Sequence, residues 1–131
     1  MSHFHAVVWI DHREARVFHL GEEDYEARIV RSHAPDRHIH HRAGSVSGKR
    51  SAEDDRFFHD VVEALGDAGE WLVVGPGSAK LEFVKHVTRH DATLVDRIVG
   101  VETAERETDR QIAAHARASF RAIDRRNGTT G

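Results

Sequence analysis

Residues 5–10 read HAVVWI, an almost unbroken apolar run closed by Asp11-His12-Arg13. A run this short and this continuous suits a buried strand. The chain then switches to alternation. Ala15, Val17 and His19 share one parity and Arg16, Phe18 and Leu20 the other, which predicts a second strand. Gly21-Glu22-Glu23-Asp24 carries a turn signal. Tyr25, Ala27 and Ile29 against Glu26, Arg28 and Val30 predict a third strand through Arg31, with one polar face. Three strands joined by tight turns make an antiparallel meander.

After residue 51 helical and strand patterns take turns. Ser51 is placed to cap a helix over about 52–66, with Glu53, Asp54 and Asp55 in its first turn, where the helix dipole favours acids. Phe57, Phe58, Val61, Val62 and Leu65 form its apolar face, and Gly66 and Gly69 punctuate its end. Trp71–Val74 reads as a buried strand. Gly75-Pro76-Gly77 turns the chain, and Ser78 caps a second helix near 78–90 with Leu81, Val84 and Val87 inward. Thr93–Val101 reads as the last strand. Thr108 and Gln111 form a capping-box pattern for a third helix near 108–123, whose apolar face is Ile112, Ala116, Phe120 and Ile123. Residues 124–131 have the composition of a disordered tail.

The order is strand, strand, strand, helix, strand, helix, strand, helix. A meander followed by crossover helices gives an α/β fold: one mixed five-stranded sheet with three helices on its faces, in a single domain spanning 1–123. This is the element order of the ribonuclease H-like fold. Length agrees, since 131 residues is one domain's worth of chain. The absence of cysteine excludes a disulfide framework, a thiolate zinc site and a cysteine nucleophile. The net charge of -3 offers no global attraction to nucleic acid or anionic membrane, so such a role falls to a local basic patch. No apolar run approaches the roughly 20 residues of a membrane span, and the first residues lack a signal-peptide layout, so a cytoplasmic protein without a membrane partner is expected.

That local patch lies in the stretch between the third strand and the first helix. Residues 32–51 (SHAPDRHIHHRAGSVSGKRS) show no period and read as a mobile loop. Structureless loops longer than about 12–15 residues are usually functional or disordered. Arg37, Arg42, Lys49 and Arg50 stand against Asp36 alone, and His33, His38, His40 and His41 add charge in acid. Guanidinium and imidazole groups on a Gly/Ser backbone suit RNA phosphates and exposed bases. Arg37, His38, His40, His41, Arg42, Lys49 and Arg50 are therefore the candidate RNA-binding residues. A solvated hairpin with incidental charge is the bland alternative. A metal site on His38, His40 and His41, serving a hydrolase or metal-dependent protein, is another, since neighbouring imidazoles can share a divalent ion.

Gly75-Pro76-Gly77-Ser78-Ala79-Lys80 places a glycine turn between a strand and a helix N-terminus, which can hold an anion; Gly75, Gly77, Ser78 and Lys80 are the candidates. It is not a Walker loop, because the required glycine-to-lysine spacing is absent. A two-metal nuclease site would need carboxylates on the first and fourth strands and the first helix. Asp11 and the acids at 53–55 and 60 are present, but Trp71-Leu72-Val73-Val74 supplies none. Asp11 fits the turn with His12 and Arg13. No Gly-x-Ser-x-Gly elbow follows a strand, so a serine triad has no local support.

The run VVWIDHREARVFHL, the third strand, the basic Gly/Ser loop, the long helix and then EWLVVGPGSAKLEFVKHV together resemble the central domain of the archaeo-eukaryotic class-one release factors and Pelota. The small bacterial relatives labelled translational machinery proteins look most similar. The resemblance covers about residues 6–120. In the release factors the loop after the third strand carries Gly-Gly-Gln, which enters the peptidyl-transferase centre. Here the matching stretch is Arg42-Ala43-Gly44-Ser45-Val46-Ser47-Gly48-Lys49, without that tripeptide. Pelota also lacks it and still binds ribosomes. The resemblance implies a non-catalytic protein without a cofactor, bound to the ribosome, ribosomal RNA or tRNA, in rescue, quality control or hibernation. A protein–protein module carrying a basic loop is the remaining alternative.

Overall fold

A computed structural model describes residues 4–32 and 43–126, with backbone alone over 43–53. The strands are β1 (His5–Ile10), β2 (Glu14–Leu20), β3 (Tyr25–Arg31), β4 (Glu70–Gly75) and β5 (Ile98–Thr103). The helices are α1 (Ala43–Leu65), α2 (Ala79–His90) and α3 (Asp109–Arg126), with a 3-10 helix at Ala92–Arg97 before β5. The five strands form one sheet in the order β3-β2-β1-β4-β5. β1 pairs antiparallel with β2, and β2 with β3. β4 lies parallel to β1 and to β5. Among the described residues no helix is long and apolar enough to cross a membrane.

The unbroken apolar character of β1 follows from its place at the centre of this sheet. Ala6, Val8 and Ile10 face α1 and α2 and join Phe57, Phe58, Val61, Leu65, Phe83 and Val87 in one core. Val7 and Trp9 face the other way and pack with Phe18, Leu72, Val74 and the Ile112, Ala116, Phe120 and Ile123 stripe of α3. A strand covered on both faces has no polar parity. β3, on the edge, is mostly exposed.

Four elements depart from the sequence expectation, the simplest being α3, which runs to Arg126, so that residues 124–126 are helical rather than tail. α1 begins at Ala43 rather than near Ser51, so Glu53, Asp54 and Asp55 lie inside the helix and not in its first turn. No proline stands between Pro35 and Pro76. The extension back to Ala43 lengthens a helix already anchored by Phe57–Leu65, so it needs no new nucleus, although Gly44, Ser45, Ser47 and Gly48 are weak helix formers. The expected strand at Thr93–Val101 is divided between the 3-10 helix and β5. Leu94, Val95 and Ile98 all pack against the α1/α2 core. Adjacent residues of a strand point to opposite faces, so Leu94 and Val95 reach one core only from a helical turn. Finally, the inner face of α2 is Ala79, Phe83, His86 and Val87, while Leu81 is exposed. The bulkier Phe83 sets the rotation of the helix.

Helix ends follow local chemistry. Gly66 takes a φ of 61° at the end of α1 and its N–H donates to Val62 O, a left-handed position that suits glycine. At α3 the Thr108 hydroxyl accepts from Gln111 N–H at 3.1 Å and the Gln111 amide oxygen accepts from Thr108 N–H at 3.0 Å, which completes the expected capping box. Ser78 precedes α2 without a side-chain cap; its carbonyl accepts from the N–H groups of Leu81 and Glu82.

Candidate functional site

β1 and β4 run parallel, so the segments after Ile10 and Gly75 emerge side by side at one end of the sheet. They are close: a Cβ on Gly75 would collide with the carbonyl oxygen of Ile10. Asp11 makes the turn there, its Oδ1 accepting from Arg13 and Glu14 N–H at 2.8 and 2.9 Å. The expected role of Asp11 in that turn is what the structure shows.

At the same end the glycine turn meets an acid. Glu82 Oε2 lies 3.1 Å from His12 Nε2 and accepts from the Ser78 hydroxyl at 3.1 Å. Lys80, 8% exposed, donates its ammonium to the Gly77 carbonyl. Gly75, Gly77, Ser78 and Lys80 are thus together at the helix start, but the lysine charge is folded back onto the turn and a carboxylate sits against the serine. Ser78 and His12 contact the same Glu82 oxygen, so the serine hydroxyl meets the carboxylate and not the imidazole.

On the α3 side of the sheet Glu14, buried at the start of β2, gathers three guanidinium groups. Arg16 Nε lies at 3.1 Å, Arg106 Nη2 at 3.2 Å and Arg31 Nη1 at 3.4 Å. Arg16 also reaches Asp109 at 2.9 Å, and its hydrogen bond to Glu14 is the main cause holding its pKa above the ordinary value, against the opposing effect of burial. Arg106 lies over the Trp9 ring, 5.6 Å from its centre, and the Trp9 indole N–H donates to Glu105 O. Arg31 and Arg106 keep side-chain exposures of 70% and 56%. The backbone of Ser32, where the chain leaves β3, donates to Arg13 O. The basic segment therefore departs from a rim already lined by Arg13, Arg31 and Arg106.

Arg37, His38, His40, His41 and Arg42 lie outside the described residues. Lys49 and Arg50 belong to α1, not to a loop.

No family model matches the chain, and no curated protein matches it. Solved structures do. The Pelota protein of Thermoplasma acidophilum is 20% identical, with a TM-score of 0.56 over 88% of this chain and 31% of that one. Archaeoglobus fulgidus Pelota is 17% identical, with a TM-score of 0.57 over 95% and 38%. The archaeal translation termination factor aRF1 is 15% identical, with a TM-score of 0.52 over 95% and 41%. The domain has a Pelota- and aRF1-like fold. It spans between 31% and 41% of the length of those proteins.

Within this Pelota- and aRF1-like domain, sequence reading missed two groupings. The Glu14 hub draws on β2, β3 and the stretch before α3, and no local pattern announces it. The second is Asp55, His86 and His90, whose ligand atoms lie within 4.8 Å of one another. Here a signal existed: His86-Val-Thr-Arg-His90 puts two imidazoles on one helical face. Burial pushes the His86 imidazole below its ordinary pKa, with His90 adding to that and Asp55 and Asp91 opposing it.

Proposed function

We propose that this chain acts in translation as a non-catalytic protein that binds the ribosome at an RNA or tRNA-bearing site, in rescue, quality control or hibernation. The observation that carries the reading is the fold shared with Pelota and aRF1 over most of the chain. The segment after β3, where the resemblance places Gly-Gly-Gln in release factors, reads Arg42-Ala43-Gly44-Ser45-Val46-Ser47-Gly48-Lys49. Without that glutamine the reading is binding rather than peptidyl-tRNA hydrolysis.

Arg37, His38, His40, His41, Arg42, Lys49 and Arg50 make the RNA contact in this proposal. Support comes from charge: four basic residues against Asp36 in the segment, and exposed arginines at the rim it leaves. Such groups neutralise phosphates and displace counterions. The glycine turn plays a secondary part as an anion contact, since Glu82 faces Ser78 and Lys80 is bonded to Gly77. A ribosomal partner would put the protein in the cytoplasm.

Sucrose-gradient sedimentation of a cell extract tests the reading. The protein should travel with ribosomal particles at low salt and leave them at high salt. Remaining at the top of the gradient at low salt would remove the ribosome as its partner.

A further inference from the structure

His86 and His90 are one helical turn apart on α2, and their ring centres lie 4.7 Å apart. α1 brings Asp55 against them. Asp55 Oδ1 is 3.4 Å from His86 Nδ1 and 3.9 Å from His90 Nε2. These separations exceed the roughly 2.7–3.2 Å of a good hydrogen bond. Bonds of about 2.0–2.1 Å put neighbouring ligand atoms of a coordination tetrahedron about 3.3 Å apart. The Asp55–His86 separation matches that edge, and Asp55–His90 is longer, all three ligand atoms lying within 4.8 Å of one another. The His86 side chain is 5% exposed and turns its Nδ1 toward Asp55, while its Nε2, without a hydrogen-bond partner among the described residues, is the other ring nitrogen and not the ligand. The ring is walled by Phe58, 5.6 Å away. The contact of the His86 Nδ1 to Asp55, at 3.4 Å, is longer than a good hydrogen bond.

We infer that Asp55, His86 and His90 bind a divalent transition-metal ion of the zinc type, which clamps α1 to α2. Two imidazole nitrogens and one carboxylate oxygen form a donor set that suits zinc or cobalt and suits calcium or magnesium poorly, since those ions prefer oxygen alone. Asp55 and His90 are half exposed, at 56% and 45%, so the ion is reached from solvent and keeps a position for water. Three protein ligands with one open position leave the clamping ion exchangeable. The clamp fixes the helix that carries Lys49 and Arg50. The inference stands on its own geometry and does not depend on the ribosome reading.

Cobalt(II) titration of the tag-free full chain, followed by visible absorption and then zinc competition, tests it. One ion per chain with a four-coordinate spectrum is expected. The chain with His38→Ser, His40→Ser and His41→Ser together should keep this binding. Asp55→Asn and His90→Gln are changes at exposed positions, and fold retention is checked by circular dichroism. Each should weaken cobalt binding by at least about 10-fold, the smallest loss seen even for partners of a metal ligand. Zinc should raise the Tm of the parent chain and not of these variants. No binding by the parent chain, unchanged affinity in folded Asp55→Asn and His90→Gln, or loss of binding in the triple serine variant alone would each overturn the inference.

Discussion

The carboxylate of Glu14 stands 3.1 Å from the Arg16 guanidinium on the same strand, with Arg106 and Arg31 closing on it from two other parts of the chain. Glu14 is thereby the common anion of β2, β3 and the approach to α3. Replacing it by glutamine leaves three guanidinium groups without that charge in a partly buried setting. Glu14→Gln should cost about 1–3 kcal/mol in urea unfolding, the range for removing a partner from a buried polar group. Arg31→Ala, at an exposed position, should cost less than about 1 kcal/mol. The Arg16 pKa is raised, so its contribution is full below the unfolded value and lost only as pH climbs past the folded one. Both lie in strong alkali, so its own contribution should be flat across neutral pH. Equal costs for the two variants would show that Glu14 is not the hub.

The basic segment has a salt signature. Arg37, Arg42, Lys49 and Arg50 changed together to glutamine remove four candidate phosphate contacts while keeping good helix formers at 49 and 50. The logarithmic salt slope of ribosome or RNA binding should flatten by roughly 0.7–0.9 per lost contact. Parent-like affinity and slope in the folded variant would place the binding surface elsewhere.

Glu82 opposes anion binding at the glycine turn by facing Ser78. Phosphate titration followed by NMR should shift the Gly77, Ser78 and Ala79 amides more in Glu82→Gln than in the parent. Amides that stay still in both chains would leave the turn with a purely structural role.

Gly75 is forced by backbone approach. Its Cβ position is filled by the Ile10 carbonyl, which belongs to the central strand and cannot swing aside. Gly75→Ala should cost about 1–3 kcal/mol, the usual penalty for overpacking, read from chemical denaturation. A neutral result would mean that β1 and β4 separate easily at this end.

Thr108→Ala breaks the box at the start of α3. A loss of about 0.5–2 kcal/mol is expected. Hydrogen exchange should quicken first at the N-terminal turn of that helix, and uniform quickening along α3 would contradict a local cap.

Much of this architecture was legible in the residues alone, because strand and helix periods are local. HAVVWI and WLVV announced central strands, and Ile112, Ala116, Phe120 and Ile123 announced the buried stripe of α3. Thr108 and Gln111 announced the cap, and the element order pointed to the sheet. Tertiary structure decided what periodicity leaves open. α1 extends back to Ala43 through the weak helix formers Gly44, Ser45, Ser47 and Gly48, which local propensity does not predict. Leu94 and Val95 abandon strand geometry because both must reach one core. α2 turns on Phe83 because the largest apolar group gains most from burial. The two charged groupings, Glu14 with its arginines and Asp55 with His86 and His90, join residues far apart in the chain. Side-chain type is written in the sequence, but the distance between such groups is set only when sheet and helices pack.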